Sequence, residues 1–121
     1  LQVDFSRLPD DVPPILAFES KTGPDNPYDN VGILPAELDA EMLAAMVDRA
    51  SRLFARLGCR DYARFDFRTG ADGTVKLMEV NPNPAWSREA KLAKMAAFAG
   101  ISYPALLETI VDEAWRRSLA T

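Results

Sequence analysis

Between Arg64 and Asn81 the sequence reads RFDFRTGADGTVKLMEVN, two segments of alternating side-chain character around Asp72-Gly73, and this stretch restricts the fold more tightly than any other. An Asp-Gly pair in such a setting predicts a β-hairpin with a two-residue turn, because both central positions of a type I′ turn need positive φ. That turn sets Ala71 opposite Thr74, and the register then places Asp66 across from Glu79 and Arg64 across from Asn81. All four of these last side chains fall on one sheet face. A one-residue bulge would send every later side chain to the other face and break the arrangement.

Two carboxylates with Cβ atoms roughly 5 Å apart repel unless a cation lies between them or one keeps its proton. A divalent ion satisfies this requirement. Asp66, Glu79 and Asn81 offer the hard oxygen atoms that magnesium prefers, and magnesium commonly completes its shell with water and substrate phosphates. Glu79 and Asn81 are two apart on a strand and so reach the same side. Pro82 and Pro84 donate no backbone hydrogen bond, which ends the strand beside the proposed ligands. A solvated sheet face with cross-strand ion pairs would show the same alternation, and both readings stand on spacing alone.

Composition narrows the chemistry further. The chain of 121 residues contains no histidine, which excludes histidine-based triads, zinc sites and proton shuttles within it. Its net charge of -4, with both signs interspersed, provides no footprint for nucleic acid or an anionic membrane. No apolar run approaches the roughly 20 residues needed to cross a bilayer, so the sequence reads as soluble. With Cys59 the only thiol, no internal disulfide forms, and a reducing, cytoplasmic setting is expected. The hydrophobic content of 48% suits one compact domain with a substantial core. The chain opens on Leu1 and reads as a piece of a longer one.

From Leu1 to about Leu34, Pro, Asp, Asn and Gly favour turns, with one candidate strand at Pro14 to Ser20 and a long loop after it. Asp39 predicts a helix cap. The stripe Leu43, Met46, Val47, Ala50, Leu53, Phe54, Leu57 then predicts a core-facing helix ending at Gly58. Strands are expected over Asp61–Arg68 and Thr74–Val80, and a helix from about Ser87 to Gly100. A last helix capped by Ser102 carries Leu107, Ile110, Val111, Ala114 and Trp115, with Arg116 and Arg117 at its negative end. Trp115 and Cys59 are assigned to packing. The order describes an α+β fold, an antiparallel sheet flanked by helices.

LGCRDYARFDFR, a short turn, VKLMEVNPNP and a helical run ending AGISY together resemble the C-terminal part of the D-alanine-D-alanine ligase family of the ATP-grasp superfamily. FESK and ILPAEL are similar to that family's upstream segments, and the resemblance runs from about Ile15 to Val111. It implies one C-terminal ATP-grasp domain over residues 1–121, the last portion of that fold and a fragment of a longer chain. It implies ATP as cosubstrate, one or two magnesium ions with manganese as a substitute, small amino-acid-like substrates, and a homodimer. The family's chemistry is phosphorylation of a carboxylate by ATP followed by attack of an amine on the acyl phosphate.

Carried over by position, the resemblance implies that Asp66, Glu79 and Asn81 hold magnesium and that Arg64 stabilises charge developing during the reaction. An ion pair with Asp66 or Glu79 is the alternative for Arg64. Lys21 matches a phosphate-binding lysine and Met78 an apolar contact to adenine, with a solvated lysine and a core methionine as the alternatives. Where the family carries a glycine and then a Ser-Leu pair beside its second substrate, this sequence has Ala85, Ala90 and Lys91, which argues against D-alanine. Lys91 would attract a substrate carboxylate, with Trp86 as a wall. Two other readings remain: an ATP-grasp ligase for a different amino acid or peptide, and a non-catalytic scaffold that retains the fold.

Overall fold

The computed structural model describes residues 1–16 and 26–120, and they fall into two compact units, Leu1–Glu37 and Leu38–Thr121. In the first, β1 (Gln2–Asp4) pairs antiparallel with β2 (Gly32–Leu34), Val3 facing Ile33. Asp4 turns the chain after β1 by accepting the Ser6 N–H at 2.9 Å, and a 3-10 helix, Pro27–Asn30, precedes β2. The Tyr28 hydroxyl donates to the Pro13 carbonyl at 2.9 Å. These strands lie in a region that the composition assigns to turns, because three-residue strands are too short to show alternation. The strand expected at Pro14–Ser20 lies largely outside the described residues, and residues 14–16 do not form one.

The second unit runs α1 (Ala40–Arg56), β3 (Arg64–Thr69), β4 (Val75–Asn81), α2 (Lys91–Phe98) and α3 (Tyr103–Leu119). Asp39 caps α1 by accepting the Met42 N–H at 2.7 Å, and Gly58, at φ 64, ends it in the left-handed conformation that costs glycine least. Helix α1 lies along one face of the hairpin: Leu53 lines a shallow cavity with Phe67 and Leu77, and Phe54 lines another with Phe65. Arg49 Nη1 donates to the Val75 carbonyl at 3.0 Å and stitches the helix to the start of β4. Ser102 caps α3, and α2 packs against α3 around the buried Ala93, Ala96 and Ile110. Helix α2 begins at Lys91, later than expected, because the Ala90 N–H bonds the Ser87 carbonyl and closes a separate turn first.

The core is smaller than the composition suggests. Ala93, Ala96 and Ile110 are the buried hydrophobic side chains among the described residues. Leu43 and Val47 on α1, Leu57 just after it and Val111 on α3 are exposed, as is Trp115 at 66%, so its assignment to packing is wrong for this structure. Cys59 is half-buried. A helix with an apolar stripe needs a surface to bury it on, and the described part of this chain is too short to provide one for every stripe.

Candidate functional site

The hairpin reaches the expected pairing by an unexpected route. The Gly70 N–H bonds the Thr74 carbonyl at 2.8 Å, so the loop spans Ala71 to Gly73, with Gly73 at φ 77, in place of a two-residue turn. This shifts the register by one, and Phe67 faces Leu77. Beyond that rung β4 carries one extra residue, Met78, which faces no partner of its own, and the shift is undone. Asp66 therefore faces Glu79 and Arg64 faces Asn81.

Arg64 organises the charges at this end. Its Nε and Nη2 donate to Asp66 Oδ1 and Oδ2 at 2.7 and 2.9 Å, a bidentate pair, and Nη2 lies 3.7 Å from Glu79 Oε1. The hydrogen bonds to Asp66 raise the Arg64 pKa above its already high value, so the group is a permanent cation. Its side chain is only 15% exposed, against 37% for Asp66 and 58% for Glu79. The ion pair expected as the alternative role of Arg64 is thus present, and both carboxylates remain open to solvent on their outer sides.

The donor set fits magnesium. Two carboxylates from facing strands and an amide oxygen two residues beyond one of them are hard oxygen ligands, with further positions left to water or phosphate. Among the described residues no three His, Cys, Asp or Glu side chains gather at a common point, so this set depends on the Asn81 amide. Asn81 Oδ1 accepts the Asn83 N–H at 3.0 Å and keeps its second lone pair.

Other anticipated residues spread along the following segment. Met78 is 54% exposed at the bulge, which removes the core-methionine alternative. Ala85 and Trp86 follow the fully buried Pro84, and the Trp86 ring meets Tyr62 edge-on at 5.3 Å. Lys91 opens α2. Lys21 lies outside the described residues. Two features escaped the sequence reading. The Tyr62 hydroxyl donates to Asn83 Oδ1 at 2.5 Å, and Arg117 on α3 grips Asp61 with two hydrogen bonds, at 3.1 and 2.7 Å. The Asn-Pro-Asn-Pro run signals a side-chain-to-backbone turn at Asn81, whereas nothing local marks contacts across such sequence distances.

A small α+β unit whose hairpin presents opposed carboxylates is the class that fold and site define. Residues 14–112 match the family model described as D-ala D-ala ligase C-terminus. The chain is 36% identical over 87 residues to D-alanine--D-alanine ligase A of Mesorhizobium japonicum, covering 72% of this chain and 24% of that protein. It is 32% identical over 104 residues to the vancomycin B-type resistance protein VanB of Enterococcus faecalis, covering 85% and 30%. A crystal structure of D-alanine--D-alanine ligase from Bacillus anthracis complexed with ATP superposes with a TM-score of 0.65 at 32% identity, over 71% of this chain and 30% of that one. The chain belongs to the D-alanine-D-alanine ligase C-terminal family, and its fold is the C-terminal part of an ATP-grasp structure. It spans about a quarter to a third of the length of these relatives.

Proposed function

We propose that this chain supplies the metal- and phosphate-binding half of an ATP-dependent ligase that joins a carboxylate to an amine. The observation that carries the reading is Asp66 facing Glu79 across the hairpin, with Asn81 two residues on. Magnesium held there would neutralise the phosphate oxygens of ATP while the phosphoryl group passes to the substrate carboxylate. ADP leaves, the amine attacks the acyl phosphate, and phosphate departs as the amide forms. Arg64, permanently charged and largely shielded, stabilises the negative charge that builds on the reacting oxygens. The exposed Met78 packs on adenine and Lys21 reaches the phosphates. Ala85, Trp86 and Lys91 shape the site of the amine substrate, and the charge of Lys91 favours one that carries a carboxylate. The single cysteine supports a reducing compartment.

Phosphate release by the complete gene product, measured with magnesium and ATP across a panel of amino acids that includes D-alanine, tests this. Release should depend on ATP and on an amino acid, with the panel deciding between D-alanine and another, stop with a chelator, and fall on the order of 100-fold in Asp66→Ala. Lys91→Met should raise the amino-acid KM roughly tenfold, the worth of one charged hydrogen bond. No release with any amino acid would leave a scaffold in place of an enzyme.

A further inference from the structure

The segment after Asn81 reads Pro82-Asn83-Pro84, and its backbone has little to offer a neighbour. Neither proline carries an N–H, so Asn83 has the only backbone donor of the three. That donor goes to Asn81 Oδ1 at 3.0 Å. The contact selects which end of the amide lies on this side, since a flipped Asn81 would set its NH2 against the Asn83 N–H. Pro84 is fully buried and anchors the far end, and a residue before proline is held to extended backbone. The Asn83 side chain is fixed in turn by Tyr62, whose hydroxyl donates to Asn83 Oδ1 at 2.5 Å from the segment leading into β3.

From this chain of contacts we infer that Tyr62 is a positioning residue: through Asn83 it orients the Asn81 oxygen for the cation that Asp66 and Glu79 hold. The role rests on the metal-site reading given above. The Tyr62–Asn83 bond is solvent-exposed, where water replaces a lost partner at little cost, so its contribution to global stability is small. What it restricts is the orientation of a ligand. Loss of a group that orients a metal ligand from outside the coordination shell commonly weakens metal affinity by 10- to 100-fold. The Tyr62 ring also packs edge-on against Trp86, and Tyr62→Phe keeps that contact while removing the hydroxyl.

The test titrates Mn2+ into the complete gene product with a non-hydrolysable ATP analogue and counts free Mn2+ by electron paramagnetic resonance, so turnover plays no part. Tyr62→Phe and Asn83→Ala should each raise the Mn2+ Kd about tenfold with little change in the thermal unfolding midpoint. The double variant should be no weaker than either single one, because both remove the same link. Wild-type affinity in both single variants, or additive losses in the double, overturns the positioning role. If Tyr62→Phe does not fold, Asn83→Ala decides alone. Asn81→Ala is the control for the reading beneath it: wild-type Mn2+ affinity in that variant would remove Asn81 as a ligand, and the role of Tyr62 with it.

Discussion

At the turn end of the β3–β4 hairpin Arg68 faces Lys76, a like-charged rung, whereas at the open end Arg64 sits between Asp66 and Glu79. Like charges directly opposite destabilise a strand pair, so the turn end draws its order from elsewhere. Asp72 Oδ1 accepts both the N–H and the hydroxyl of Thr74, at 3.1 and 2.6 Å, and Lys76 Nζ leans toward the same corner, beside Gly70. The open end is held by charge and the turn end by loop geometry, with the Met78 bulge between them. Only the open end sets acidic oxygens face to face, and there the permanent cation of Arg64 already lies against both.

Removing the charges that hold the open end should have the largest effect on stability. Asp66→Ala leaves a mostly shielded guanidinium with only Glu79 at 3.7 Å, and chemical denaturation should show a loss of about 1–2 kcal/mol. Glu79→Ala, which removes a more exposed and longer contact, should cost no more than about 0.5 kcal/mol. Equal losses would mean that the two carboxylates share Arg64 evenly and that the bidentate pair is not what holds this end.

A smaller change of opposite sign is expected at the other rung. Lys76→Thr removes one of two facing cations and places a β-branched residue in the strand, which should stabilise the hairpin by about 0.5 kcal/mol. A loss in the same denaturation assay would show that attraction between Lys76 and Asp72 outweighs repulsion from Arg68, and that charge orders both ends.

The smallest effect is the pH dependence of the turn. Hydrogen bonds from the Thr74 hydroxyl and N–H hold the Asp72 carboxyl below its ordinary value of 3.8. A carboxyl with a depressed folded pKa stabilises above its unfolded value and loses that contribution as pH falls through the folded one. The advantage of the wild type over Asp72→Asn in urea midpoint should therefore be present near neutral pH and shrink below about pH 3.8. A difference that does not change with pH would place the work of the turn in backbone geometry alone.

Much of this was legible in the sequence, in part because two departures cancel. The Asp-Gly pair marked the turn but not its length, since Gly73 also suits a three-residue loop. The bulge had a signal of its own: Leu77-Met78 places two apolar residues in succession where alternation calls for one. Asp39, Gly58, Ser102 and Gly100 all act as terminators as expected, because capping is a local property of the chain. Long-range contacts were not legible. Nothing near Trp115 says whether a neighbour covers it, and nothing near Tyr62 announces Asn83. The facing of Asp66 and Glu79 was legible because opposite register is arithmetic, while the contacts around Asn81 and Asn83 depend on how the loop folds back.

The grip of Arg117 on Asp61 has a bearing on where this family's region can be trimmed. Asp61 stands at φ 69, a left-handed conformation that costs a non-glycine residue on the order of 1 kcal/mol, three positions ahead of Arg64. Arg117 fastens it with two hydrogen bonds, and these hold the carboxyl of Asp61 below the usual range. The match to the family ends at residue 112, so a boundary drawn there would discard the fastener. The last turns of α3 thus belong to the hairpin as much as to their own helix, since they hold the residue from which the chain enters β3.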